Sequence, residues 1–114
     1  MNTPSTPEIS EASDSSEPGE TDVLTVLGAL ANPVRLEIVR QLSALAEPGE
    51  LVCGEIRVPV SKSTTSHHLK TLAAAGIISE REAGTRKYVR LRRAELDRAV
   101  PGLLVAVLDA EAPV

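Results

Sequence analysis

Ser66-His67-His68 places a hydroxyl beside two imidazoles, and Cys53 supplies the one thiol of the chain. Nucleophiles and bases are made from these residue types. Covalent catalysis, however, needs a nucleophile, a base and a group that orients the base to converge on one point. Successive helical residues diverge by about 100°, and no acid lies between Ser61 and Ala75. The tripeptide is therefore not expected to be catalytic. The chain also lacks a His-Glu-x-x-His pair and a phosphate-cradling glycine loop. The reading is of a protein that is not an enzyme and needs no cofactor.

The same segment carries a different chemistry. On a helical wheel with Leu69 set at the core, Thr65, His68, Leu72 and Ala73 cluster near it. Ser63, Thr64, His67 and Thr71 point the opposite way, with Lys70 at the flank. The outward strip holds short hydroxyls, an imidazole and lysines, with no carboxylate. Such side chains can approach base edges in a major groove, while a helix N-terminus with Lys62 favours phosphate. His68 is expected to pack internally. For Ser66 the wheel leaves both directions open. Arg35 is expected to brace the domain, whereas Arg90, Arg92 and Arg93 are equally compatible with phosphate contact and an ordinary solvated face.

The elements that must position this strip follow from caps and breaks. Asp22 is an N-cap, and Val23, Leu24, Val26, Leu27 and Leu30 then spread over two faces of a first helix, which needs burial on more than one side. Asn32-Pro33 starts a second helix to about Leu45, and Glu47-Pro48-Gly49 breaks the chain. A short third helix is expected over Leu51–Arg57, weakened by Gly54. Val58-Pro59-Val60 is a turn. Ser61 caps a fourth helix that ends at Ala75 before Gly76. Ile77–Glu82 and Arg86–Arg92 alternate as two strands around Ala83-Gly84-Thr85. A last helix, near Ala94–Asp109 and interrupted or restarted at Pro101, carries another large apolar block.

The fold class is therefore mainly α with a two-stranded β-wing, a winged helix-turn-helix. Residues 1–21, rich in Ser, Thr, Pro and Glu, read as a disordered acidic tail, and residues 22–112 as the folded domain. The chain of 114 residues has one tyrosine and no Phe or Trp, so an aromatic platform for single strands is excluded. No stretch suits a bilayer span or a secretory signal. The lone cysteine rules out an intrachain disulfide, and a cytoplasmic setting without membrane attachment is expected.

Net charge is −4, which appears wrong for a partner of DNA until it is divided. Residues 1–22 contribute six acids and no lysine or arginine; the remainder carries 12 basic against 10 acidic residues. Between residues 57 and 93 there are nine lysines and arginines against Glu80 and Glu82. Phosphate responds to that local field.

These residues resemble the ArsR/SmtB family of bacterial transcriptional repressors. The likeness rests on Leu30-Ala-Asn-Pro-Val-Arg-Leu-Glu-Ile-Val39, Glu50-Leu-Val-Cys-Gly-Glu-Ile56, Ser61-Lys-Ser-Thr-Thr-Ser-His-His-Leu69, Ala75-Gly-Ile-Ile78 and Gly84-Thr-Arg-Lys-Tyr-Val-Arg-Leu91. It spans about Val23–Leu108. It implies a homodimer joined through the first and last helices, reading a palindromic operator in double-stranded DNA. It places Lys62, Ser63, Thr64, Ser66, His67, Lys70 and Thr71 on the DNA-facing helix and Arg86 and Lys87 on the wing tip.

Two departures bear on regulation. The family's Cys-x-Cys metal site is reduced here to Cys53, and the last helix has Asp97, Asp109 and Glu111 but no histidine, so no metal site is expected. Cys53 reads either as a small buried hydrophobe or as a redox switch. The rival to DNA binding is a winged helix used only for protein–protein contact.

Overall fold

The computed structural model describes residues 21–46 and 49–110. The expected acidic tail before Thr21, the chain break at Glu47-Pro48, Glu111 and the domain end at residue 112 lie outside the described residues. The element order is α1 (Val23–Leu30), α2 (Pro33–Ser43), β1 (Glu50–Val52), a 3-10 turn (Cys53–Glu55), α3 (Lys62–Ala74), β2 (Ile78–Ala83), β3 (Arg86–Leu91), α4 (Arg93–Ala99) and α5 (Leu103–Ala110).

Side-chain oxygens start the three longer N-terminal helices. Asp22 accepts from the Leu24 amide (3.2 Å), and its carboxyl is held below the usual carboxylate range, chiefly by the Thr25 hydroxyl. Asn32 Oδ1 accepts from the amides of Val34 (2.9 Å) and Arg35 (3.0 Å). Ser61 Oγ accepts from the Thr64 amide (3.2 Å). Each cap satisfies amides that the first helical turn cannot. After α3, Gly76 takes φ 79° and turns the chain into β2. Gly84, at φ 65°, opens the two-residue link between Ala83 and Arg86.

The third helix expected over Leu51–Arg57 does not form. Its first residues are strand β1, and helical backbone is confined to Cys53–Glu55. Pairing decides the outcome. Glu50, Leu51 and Val52 lie opposite Arg90, Val89 and Tyr88, so β-branched Val52 sits in a ladder while Gly54 offers little resistance to leaving a helix. The wing hairpin thus becomes a three-stranded antiparallel sheet of order β1-β3-β2. The last helix divides at Pro101 into α4 and α5, with Gly102 at φ 78° between them.

The core lies where α2 and α3 meet the sheet. Ile38, Val39, Leu42, Leu69, Leu72, Ile77, Ile78 and Val89 have no solvent exposure. Each such aliphatic side chain stabilises the fold by about 1.5–3 kcal/mol relative to remaining exposed. α1 and α5 are different: Leu24 is 75% and Val105 62% exposed, with Val23 and Leu27 also exposed. Among the described residues, no helix is long and apolar enough to cross a membrane.

Candidate nucleic-acid interface

Helix α3 is held at three places. From α2, Gln41 pins the loop that precedes it: Gln41 Nε2 donates to the Arg57 carbonyl (2.7 Å), and the Arg57 amide donates to Gln41 Oε1 (3.0 Å). From behind, Arg35 Nε donates to the Ala29 carbonyl (2.6 Å), and its Nη1 lies 3.3 Å from His68 Nδ1. At its start, Thr65 is 8% exposed and returns its hydroxyl to the Ser61 carbonyl (2.9 Å). Thr65, Leu69 and Leu72 are buried, so the opposite face is turned outward.

That outward face matches the wheel at its N-terminal half. Lys62, Ser63, Thr64, His67 and Lys70 are exposed; Ser66, His68 and Thr71 are half-buried. The Ser61 hydroxyl donates to Thr64 Oγ1 (3.0 Å) and lies 3.5 Å from Ser63 Oγ, which gathers three hydroxyls at the helix N-terminus. The Thr71 hydroxyl instead donates to the His67 carbonyl (3.2 Å). Its side chain shares a shallow hollow with Thr25, Gly28 and Ala29 of α1. His68 faces inward against Arg35, as expected. Burial first, and then the Arg35 and His67 charges, hold its pKa below the ordinary value.

The nine cations of residues 57–93 separate once folded. Arg92 donates to the Gly76 carbonyl (2.8 Å) and Arg93 to the Ser43 carbonyl (3.2 Å), so both brace the backbone. Arg81 forks onto Glu50 (2.9 and 3.3 Å) and stacks 4.4 Å above the Tyr88 ring. Arg90 Nη1 reaches the Leu91 carbonyl (3.4 Å). Lys70 and Lys87 both approach Glu80 Oε1, at 3.8 and 3.9 Å. That carboxylate links α3 to the wing, and its other oxygen is buried without a partner. Lys62 and Arg86 form no ion pair among the described residues.

Lys62 and Arg86 meet at one place. A cleft between the 3-10 turn, the start of α3 and the wing tip is lined by Lys62, Ser66, Arg86 and Lys87, with Cys53 also in its wall. Cys53 is a half-buried free thiol. Five of the residues singled out in sequence thus surround one opening. Gln41 and Glu80 were not singled out. Nothing local marks either residue, because the groups each one holds are brought to it by the fold. Among the described residues, no group of three His, Cys, Asp or Glu could hold a metal ion.

Comparison with known proteins agrees with this geometry. A family of helix-turn-helix domains matches residues 30–81. The chain is 37% identical over 81 residues to YceK, an uncharacterised HTH-type transcriptional regulator of Bacillus subtilis, covering 69% of this chain and 79% of that protein. It is 36% identical over 89 residues to ArsR2 of Halobacterium salinarum, provisionally named an arsenical resistance operon repressor, covering 70% and 74%. Among solved structures, it is similar to the homodimeric winged helix-turn-helix DNA-binding domain Mb0332 from Mycobacterium bovis, a possible ArsR-family transcriptional regulator. That likeness has a TM-score of 0.61 at 26% identity, covering 97% of this chain and 94% of the other.

Proposed function

Because the chain belongs to the ArsR family of winged helix-turn-helix transcriptional regulators, we propose that it binds double-stranded DNA as a homodimer and represses transcription. The two copies join through α1 and α5, where Val23, Leu24, Leu27 and Val105 stand exposed. A symmetric pair offers the same surface to both halves of an inverted repeat, so the operator is palindromic. In each half-site, Lys62, Ser63, Thr64 and His67 meet base edges and phosphates. Ser66, Lys70 and Thr71 flank them, and Arg86 and Lys87 approach the backbone from the wing. The protein works in the cytoplasm and catalyses no reaction.

One observation carries this reading: the exposed, acid-free start of α3 lies beside a wing tip that shares its cations. The test is equilibrium binding to a duplex from upstream of the protein's own gene, against an unrelated duplex. If Lys62 and Arg86 of both copies each neutralise one phosphate, four contacts give a log–log salt slope near −3.6. Raising salt fourfold then weakens binding roughly 150-fold. A chain used only for protein contacts shows no measurable affinity for either duplex, and that result removes the proposal.

Cys53 is the candidate redox switch in the same reading. Peroxide converts a thiol to a sulfenic acid and water, and the added oxygen enlarges a side chain in the turn that leads to α3. Release of DNA on peroxide is therefore expected in the wild type and absent in Cys53→Ser. Equal release from both proteins removes that role.

A further inference from the structure

We infer, resting on the DNA-binding reading above, that the cleft between the 3-10 turn, α3 and the wing takes a compact amphipathic organic anion, which releases the DNA. The cleft has a volume of about 350 Å³, at the small end of sites for small molecules. At about 30 Å³ for each water-sized group, it suits a ligand of roughly ten non-hydrogen atoms. Its walls divide by chemistry. Val52, Val58 and Val60, each half-buried, and buried Ile56 form an apolar side. Lys62, Arg86 and Lys87 form the other, and no carboxylate lines the opening.

A DNA phosphate explains the cations but not the valines. Phosphate gains nothing from aliphatic walls, and half-buried Val52, Val58 and Val60 leave part of an apolar wall facing the opening. An alkyl chain covers that surface, while a carboxylate at its end meets Lys62 and Arg86, neither of which has an ion-pair partner among the described residues. The same two cations are the phosphate contacts proposed above. Bound anion and DNA therefore compete for them, and by linkage each weakens the other.

The test uses the full chain and octanoate as probe, with octan-1-ol and inorganic phosphate as controls, in calorimetric titrations without DNA. Saturable heat is expected from octanoate, and from neither control at equal concentration. Lys62→Gln and Arg86→Gln each weaken octanoate about tenfold. Val60→Trp, which fills the apolar side, abolishes octanoate binding. In anisotropy titrations, saturating octanoate weakens the wild-type complex with the operator duplex about tenfold or more, and the Val60→Trp complex not at all. Should that variant fail to fold, the wild-type comparison of three probes still decides. Equal binding of octan-1-ol removes the anion; equal binding of phosphate reduces the cleft to a phosphate subsite. A protein that binds the operator duplex yet gives no octanoate heat overturns the inference and spares the DNA reading. Octanoate heat from a protein without duplex affinity supports the cleft and sinks the DNA reading.

Discussion

Replacing Arg35 with Met should lower the melting temperature by roughly 10–20 °C, a shift expected from the contacts it loses. The guanidinium lies where α1 ends, and the final carbonyls of a helix have no partner within it. Arg35 supplies donors to Ala29 at 2.6 Å and Gly28 at 3.4 Å, and approaches His68 at 3.3 Å. A charged hydrogen bond is worth about 1.5–3 kcal/mol. Only the bond to Ala29 is short, so the three together come to about 2–3 kcal/mol. Methionine keeps the apolar stem and removes every donor. A domain of this size shifts about 4–8 °C per kcal/mol. In a dimer the lost contacts and the unfolding entropy both double, which leaves the shift unchanged. The assay is thermal unfolding followed by circular dichroism at 222 nm, with Arg98→Met, on an exposed position, as control. If Arg35→Met melts within about 3 °C of that control, the brace is a spectator and the reasoning fails.

Two further outcomes follow from the same geometry. His68 has its folded pKa held below 6.5, so the unfolded chain binds more protons as pH falls through that value. Stability is undiminished above it and declines below. Melting temperatures at pH 8 and 5.5 should therefore differ more in wild type than in His68→Asn, and equal differences contradict the assignment. At the proposed interface, Leu24 is 75% exposed in one copy. Leu24→Glu should weaken the dimer about 100-fold, because two leucines lose roughly 3 kcal/mol of burial between them. Sedimentation equilibrium reads this directly, and an unchanged dimer places the interface elsewhere.

Local chemistry announced most of the helical frame. Asp22, Asn32-Pro33 and Ser61 are caps wherever the rest of the chain lies, and Gly76 stops α3 for reasons internal to its own backbone. Leu51–Arg57 was not legible, because Leu-Val-Cys suits helix and strand alike and its strand partner, β3, lies nearly 40 residues away. The charged strip was legible as a total but not as a distribution. Sequence counts nine cations alike. The fold turns Arg92 and Arg93 to backbone carbonyls and Arg81 to Glu50, and leaves Lys62 and Arg86 at the opening without an ion pair among the described residues. The wheel put His68 inward, as found, but could not foresee that Thr71 would lie against α1, since that depends on where a separate helix docks.

The most direct measurement is the affinity of a Thr64→Glu, His67→Glu double variant for the operator duplex, read beside its melting temperature. Both side chains are exposed, so the account predicts a melting temperature within about 3 °C of wild type. It also predicts loss of duplex affinity by about 100-fold or more, since each copy then turns two carboxylates toward the phosphates. A folded variant that holds the duplex as tightly as wild type would contradict the account, because the face of α3 would then not be where DNA is met.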